Sequence, residues 1–178
     1  MKNKRPLFIV QAAAIAALYA TLTLLQNILL PGTASAAIQF RVSEVLAILA
    51  IYTPAAIPGL TIGCVIANIS SVSVVGPQDM IFGSVASLLA ALAMYALRNV
   101  RFFKLPVLAA LMPAIANGII VGFEIDFFFI MEGSGINLVD WLIQGGCVAL
   151  GELGVLIILG LPLSQLIEKT KLDKRLFR

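Results

Sequence analysis

Polarity along the chain alternates between long apolar runs and short polar or proline-bearing links. A helix needs about 20 apolar residues to cross a bilayer, and six runs approach that length. The first predicted span extends from Phe8 to about Ile28 and stops near Pro31 and Gly32. The second runs from about Gln39 to Thr53, where Pro54 cuts it; a tilt or a start in the headgroup layer would accommodate its shortness. The third runs from about Pro58 to Val75, and the fourth from Asp79, a suitable N-cap, to about Leu97. The fifth runs from Pro106 to about Phe128 and the sixth from about Val139 to Leu166, with Pro162 near its end. The link "TPAAIP" is so short that spans two and three should form a tight antiparallel hairpin. There is no strand-like alternation, low-complexity tract or convincing internal repeat. The expectation is an all-α membrane protein of six transmembrane helices, with residues 1–178 forming a single integral membrane domain.

Composition supports lipid as the surrounding medium. The chain of 178 residues is 61% hydrophobic and 12% charged, with mean hydropathy +1.05. Soluble domains carry about 25% charged residues, and a core of this size cannot hide such an apolar excess. The start, "MKNKRPLFIVQAAAIAALYATLTLLQN", has the basic head of a signal peptide. Its apolar run exceeds the roughly 7–15 residues of an h-region, and similar runs follow, so it is expected to be a retained span.

Charge sets the expected orientation. Lys2, Lys4 and Arg5 precede span one; Arg98, Arg101 and Lys104 lie between spans four and five; Lys169, Lys171, Lys174, Arg175 and Arg178 follow span six. Six spans put all three groups on one side, which the positive-inside rule makes the cytoplasm, with both termini there. The one basic residue left over is Arg41, with Glu44 three residues on along the same helix face.

The absence of histidine removes the commonest general base and metal ligand. Cys64 and Cys147 form no spaced framework and read as small buried apolar residues. No metal or cofactor is expected, and a membrane enzyme is disfavoured.

At 1.5 Å per residue the polar residues acquire depths. Gln144 lies one turn below Trp141, and Glu152 near the midplane. Asn117 and Asn68 fall at mid-membrane, with Glu124 two turns beyond Asn117. Arg41 and Glu44 occupy the outermost turns of span two. Below Glu152 the run "LGVLIILGLPL" is wholly apolar, and Gln11, low in span one, is the exception. The pattern predicts a pocket open to the outside above a greasy floor. A carboxyl group in a membrane marks function by default. The competing readings are structural: Arg41 bridging Glu44 or Glu124, and Glu152, Asn68 and Asn117 bonding between helices.

Two outer links, "LPGTASAAIQ" and "EIDFFFIMEGSGINLVDW", read either as gating loops or, for the aromatics, as an interfacial belt. The second holds Asp126, Glu132, Asp140 and Phe127 to Phe129. In span one, Ala12, Ala16 and Ala20 recur every four residues, as do Ala13 and Ala17. Small residues at this spacing suit close helix packing, within the protein or against a second membrane protein.

The stretches "FRVSEVLAIL", "TPAAIPGLTIGCVIANI", "GPQDMIFGSVASLLAAL", "PAIANGIIVGFEI" and "LGELGVLIILGLPL" together resemble the QueT family of queuosine-precursor transporters. These are substrate-binding S-components of energy-coupling factor (ECF) transporters. The resemblance implies a six-helix fold with its site in the outer half and a 7-deazaguanine ligand such as preQ1 or preQ0. It implies a membrane T-component and two ABC-type ATPases as partners, no nucleic acid, and delivery by toppling. It would place Ala12, Ala16 and Ala20 on the T-component. The chain has no phosphate-binding loop of its own, as that division of labour requires. For such a ligand, Glu152 or Glu124 would read the guanine-like edge, and the other, or Glu44, would meet an amine. Arg41, Asn68, Asn117 and Gln144 would supply polar contacts, and Trp141 or Phe123 would stack. A different vitamin or nucleobase, or a facilitator that needs no ATPase, are the alternatives.

Overall fold

A computed structural model describes residues 5–33, 39–70, 72, 76–102 and 105–173, and these form six helices. Helix α1 (Arg5–Leu29) carries Pro6 in its first turn, where the missing N–H is harmless. It stops just before Gly32, whose φ of 85° reverses the chain. Helix α2 (Val42–Ile51) is a 3-10 helix, and α3 spans Ala56–Ile69. Helix α4 (Pro77–Ala96) is opened by Gly76 at φ 89° and by Pro77. Asp79 therefore lies in its first turn and not at the N-cap, as the proline start places the cap at Gly76, ahead of it. Helix α5 (Val107–Ile130) ends in a π-helical stretch, Ile125–Ile130. Helix α6 (Leu138–Lys169) is capped by the Asn137 side chain, which accepts from Val139 N at 3.1 Å. It widens to a π-helical stretch at Leu156–Gly160, just ahead of Pro162, and continues unbroken. A wider turn is one way a helix absorbs a proline that cannot donate and crowds the preceding turn.

Four of these helices, α1, α4, α5 and α6, are long and apolar enough to cross a membrane. Helices α2 and α3 are apolar but shorter over the described residues. Helix α2 has ten residues and, at about 2.0 Å per residue, covers roughly 20 Å. Helix α3 has 14 residues, and Val75, its expected end, lies outside the described residues. Helix α2 is short because it is an inner post. Seven of its residues are buried (Ser43, Glu44, Leu46, Ala47, Ile48, Ala50 and Ile51), and every other helix touches it. Its apolar residues join Ile15, Tyr19, Leu60 and Met94 in the main core.

The helices meet through glycine. A Cβ on Gly59 would lie 2.9 Å from Ala12 O, and one on Gly63 would lie 2.8 Å from Tyr19 Cβ, so α1 and α3 run in near-backbone contact. Ala16 and Ala20 are consequently buried inside the protein and Ala12 is half-buried, while Ala13 and Ala17 face outward. The stripe Ala12, Ala16, Ala20 is thus an internal packing surface, which corrects its expected place on a docking face. Helices α5 and α6 cross where a Cβ on Gly145 would fall 2.3 Å from Gly118 O.

One end of the bundle is tied by polar contacts. Arg101 pairs with Glu168 at 2.6 Å, Tyr52 Oη meets Ser164 Oγ at 2.6 Å, and Thr53 Oγ1 donates to Gln11 Oε1 at 3.2 Å. These contacts bring the start of α1 and the ends of α2 and α6 together. Lys2, Lys4, Lys104, Lys174, Arg175 and Arg178 lie outside the described residues.

The glycine crossing has a direct consequence. Gly145→Val should lower stability by about 1–3 kcal/mol, since its side chain must displace α5 backbone. Gly146→Ala meets open space and should leave the melting temperature in detergent unchanged. The reverse order in a thermal-shift measurement would rule out the crossing.

Candidate functional site

The site begins with how the chain enters α2. Gln26, near the end of α1, clasps that entry. Its Oε1 accepts from Val42 N at 2.8 Å, and its Nε2 donates to Phe40 O and, at 3.0 Å, to Thr33 Oγ1. On the other side, Gly151 of α6 lies against the Gln39 backbone, where a Cβ would come within 2.4 Å of its carbonyl oxygen. Gly151 is 13 residues into α6, roughly 20 Å from the helix start. Arg41 and Glu44 therefore stand at mid-height and not in outermost turns. The non-helical approach of Gln39 and Phe40 has already carried the chain down beside α6.

Around Arg41 and Glu44 the bundle holds a buried polar cluster. Tyr19 Oη donates to Glu44 Oε1. Thr23 Oγ1 donates to Ser43 Oγ at 2.7 Å. Arg41 Nη1 points at Cys64 Sγ, 3.9 Å away. Asn68 Nδ2 lies 3.6 Å from the same sulfur and donates to Asp79 O at 3.1 Å. Asn117 Nδ2 donates to Glu152 Oε1 at 2.8 Å, joining α5 to α6.

Among the described residues, several groups have no hydrogen-bond partner: Arg41 Nε, both carboxyl oxygens of Glu124, and Glu152 Oε2. Glu124 is 1% exposed, Glu152 3% and Arg41 8%. Neither Glu44 nor Glu124 pairs with Arg41 at ion-pair distance, which corrects the bridging alternative; Glu44 is held by the Tyr19 hydroxyl instead. The electrostatics are nonetheless shared. Glu124 is repelled by Asp79 and attracted by Arg41, and Glu152 is repelled by Glu44 and attracted by Arg41. Four carboxyl groups thus surround one guanidinium. Unmatched polar atoms inside an apolar bundle are costly, by about 1–3 kcal/mol each and more for charges. A bound molecule rich in N–H donors, or carrying positive charge, would satisfy them.

Of the residues expected at the site, Arg41, Glu44, Asn68, Asn117, Glu124 and Glu152 are all buried in the interior, most of them joined by bonds or electrostatics. Gln144 is half-buried, two turns from Glu152. Trp141 does not join them. Its Nε1 donates to Ile119 O at 2.9 Å, and its ring lines an apolar groove of about 450 Å³ between α5 and α6, with Ile115, Leu142 and Ala149. The close backbone contact of these two helices leaves the indole outside it. Phe123 stacks on Phe127 (5.6 Å, 12°) and contacts Phe82 at 6.0 Å, in a cluster of rings at the end opposite the Arg101–Glu168 pair.

The segment expected as an acidic, aromatic loop is largely helix. Asp126 and Phe127 to Phe129 lie in the π-helical end of α5, and Asp126 Oδ2 accepts from Asn137 N at 3.0 Å, fastening α5 to the start of α6. In "LPGTASAAIQ", residues 34–38 lie outside the described residues.

Three members of the cluster escaped the sequence reading. Tyr19, Thr23 and Gln26 sit at i, i+4 and i+7, a polar stripe on α1 that the alanine pattern obscured. Asp79 was assigned to capping, and Cys64 to packing.

The sequence matches the QueT transporter family over residues 9–169, a stretch that takes in all the polar residues of the cluster. Neither the curated proteins nor the solved structures contain a match. The chain belongs to the QueT transporter family, and is a multi-pass membrane transport protein.

Proposed function

We propose that the protein is the substrate-binding S-component of an ECF-type importer for queuosine precursors, and that it holds a 7-deazaguanine in the buried polar cluster. The observation that supports this most is the set of unpartnered acceptors, Glu124 and Glu152 Oε2, beside the unpartnered Arg41 Nε. A deazaguanine presents two adjacent N–H donors on its pairing edge and a carbonyl beside them. One carboxylate can accept both donors, and a guanidinium or amide can donate to the carbonyl. Glu152 is suited to the first role because Asn117 fixes one of its oxygens and leaves the other open. Glu124 is the other candidate. We favour Phe123 over Trp141 for stacking on the base, because Trp141 lines the α5–α6 groove.

Arg98, Arg101 and Lys169 lie toward the tied end, which we assign to the cytoplasm by the positive-inside rule, with both termini on that side. The ligand then enters from the opposite, outer end. The whole chain acts as one membrane domain. A T-component and two ATPases would supply docking and ATP hydrolysis, with delivery by toppling. The outward alanines of α1, Ala13 and Ala17, belong to the face available to the T-component.

Titration calorimetry on the detergent-purified protein tests this with preQ1, preQ0, queuine, guanine, riboflavin and thiamine. Tight binding of a deazaguanine, with guanine and the vitamins weak, is expected. Binding of a vitamin and of no deazaguanine would overturn the substrate assignment. Glu152→Gln should weaken deazaguanine binding by about 1–3 kcal/mol, and unchanged affinity in a folded variant would remove Glu152 from the site. Phe123→Ala should cost about 1–3 kcal/mol of stacking, whereas Trp141→Phe should leave affinity as it is. The opposite result would move the base to the α5–α6 groove.

A further inference from the structure

The amide of Gln26 grips a single residue of the neighbouring chain from both sides. Its Nε2 donates to Phe40 O, and its Oε1 accepts from Val42 N at 2.8 Å. Those two atoms belong to the peptide planes that flank Arg41. The rotations between the planes are the φ and ψ of Arg41, here −92° and 104°. Peptide planes are rigid, so holding both from one planar group fixes the direction in which the Arg41 side chain leaves the backbone. The remaining Nε2 hydrogen goes to Thr33 Oγ1 at 3.0 Å, and Thr33 O accepts from Phe40 N at 3.0 Å, which braces the approach. Gln26 is buried, and both of its N–H donors are spent on these bonds. It has no donor left for a ligand.

The clasp aims a guanidinium inside the bundle. Arg41 is buried, its Nη1 lies 3.9 Å from Cys64 Sγ of α3, and its Nε has no hydrogen-bond partner among the described residues. Helix α6 sets the other side of the same segment. Gly151 abuts the Gln39 backbone, two residues before Arg41, and is followed at once by Glu152. The amide on α1 and the glycine contact on α6 thus hold Arg41 and Glu152 in one frame. Farther along α2, Thr23 bonds Ser43 and Tyr19 bonds Glu44. Those two bonds end on side chains. Of the three residues in the α1 stripe, Gln26 is the one that grips the backbone at the entry to α2.

We propose that Gln26 is a positioning residue for ligand selection: without touching the ligand, it aims Arg41 at the carbonyl of the base, so that the protein favours bases that carry this oxygen. This rests on the function proposed above and deepens it, by tracing the carbonyl contact back to α1. Arginine has a long stem with many rotamers, and its fork discriminates between acceptors when the stem is held ready in one direction. Without the clasp, the backbone at Arg41 gains freedom that binding must then remove. The cost falls on the carbonyl contact. The N–H edge of the base is read by Glu152 from α6, where Asn117 holds it independently of Gln26.

The test is calorimetry with preQ1 and with its thio analogue, in which a thiocarbonyl replaces the carbonyl while the N–H donors stay. Sulfur is the weaker acceptor. The wild type should favour preQ1 by about tenfold or more, the size of a hydrogen bond to a charged group. Gln26→Leu should lose most of that preference, with preQ1 affinity falling about tenfold and that of the analogue changing by less than about threefold. A merely structural role would lower the melting temperature and weaken both ligands alike, leaving their ratio unchanged. If Gln26→Leu does not fold, Gln26→Glu serves. It keeps an acceptor for Val42 N but sets a carboxyl oxygen against Phe40 O, and it should narrow the preference in the same sense. Arg41→Gln should narrow the preference as far, and adding Gln26→Leu to it should narrow it no further. An unchanged ratio in the Gln26 variants, further narrowing in the double variant, or a wild type that does not distinguish the two ligands would overturn the inference while preQ1 still bound, leaving the proposed function standing. No deazaguanine bound by the wild type would overturn both.

Discussion

Carboxyl groups without partners in a lipid-embedded interior are the constraint on which this structure turns. An exposed carboxylate can rely on water. Glu124 and Glu152 cannot, because the helices around them present apolar faces outward and glycine contacts inward. A bundle optimised for stability alone would fill this space with leucine and valine, since replacing buried ions by apolar residues is often neutral or stabilising. Keeping four acidic groups around one arginine implies that the apo protein tolerates a cost that a ligand can relieve. Binding energy is then available from groups already in place, with little reorganisation.

The rest of the fold follows from holding that cluster at mid-height. Helix α2 is short and wound as a 3-10 helix, so it occupies the lower half of the bundle and brings Arg41 to its upper end. Three residues per turn put Glu44, Ala47 and Ala50 on one line, a narrow edge that fits between the surrounding helices. Gln26 and Gly151 pin the approach to α2 from opposite sides. Glycine at positions 59, 63, 118 and 145 lets helix pairs touch at the backbone, so the small cross-section of the bundle is spent on the site and not on side-chain filler.

Much of this was legible in the sequence, for physical reasons. Long apolar runs are strong signals, and the ends of α1, α5 and α6 fall close to the expected positions. Helix α2 was placed but read as an ordinary span, because apolar periodicity over ten residues does not separate a 3-10 from an α-helix. Residue counting along regular helices sets Glu152 and Asn117 at one level, and the two are bonded. It failed for Arg41 and Glu44, because the descent before α2 is not helical and adds height that residue counting cannot see. Trp141 was expected inside by type, yet whether it faces the cluster or lipid depends on the Gly118–Gly145 crossing, a tertiary fact. The alanines of α1 carried a real packing signal whose partner, Gly59 and Gly63 of α3, is visible only in three dimensions.

The most direct test of the central claim is an experimental structure of the protein with preQ1 bound. The account predicts the base among α2, α5 and α6, with its N–H edge within hydrogen-bond distance of Glu152. A ligand seated beside Trp141 in the α5–α6 groove, with the interior carboxyl groups still unpartnered, would contradict it.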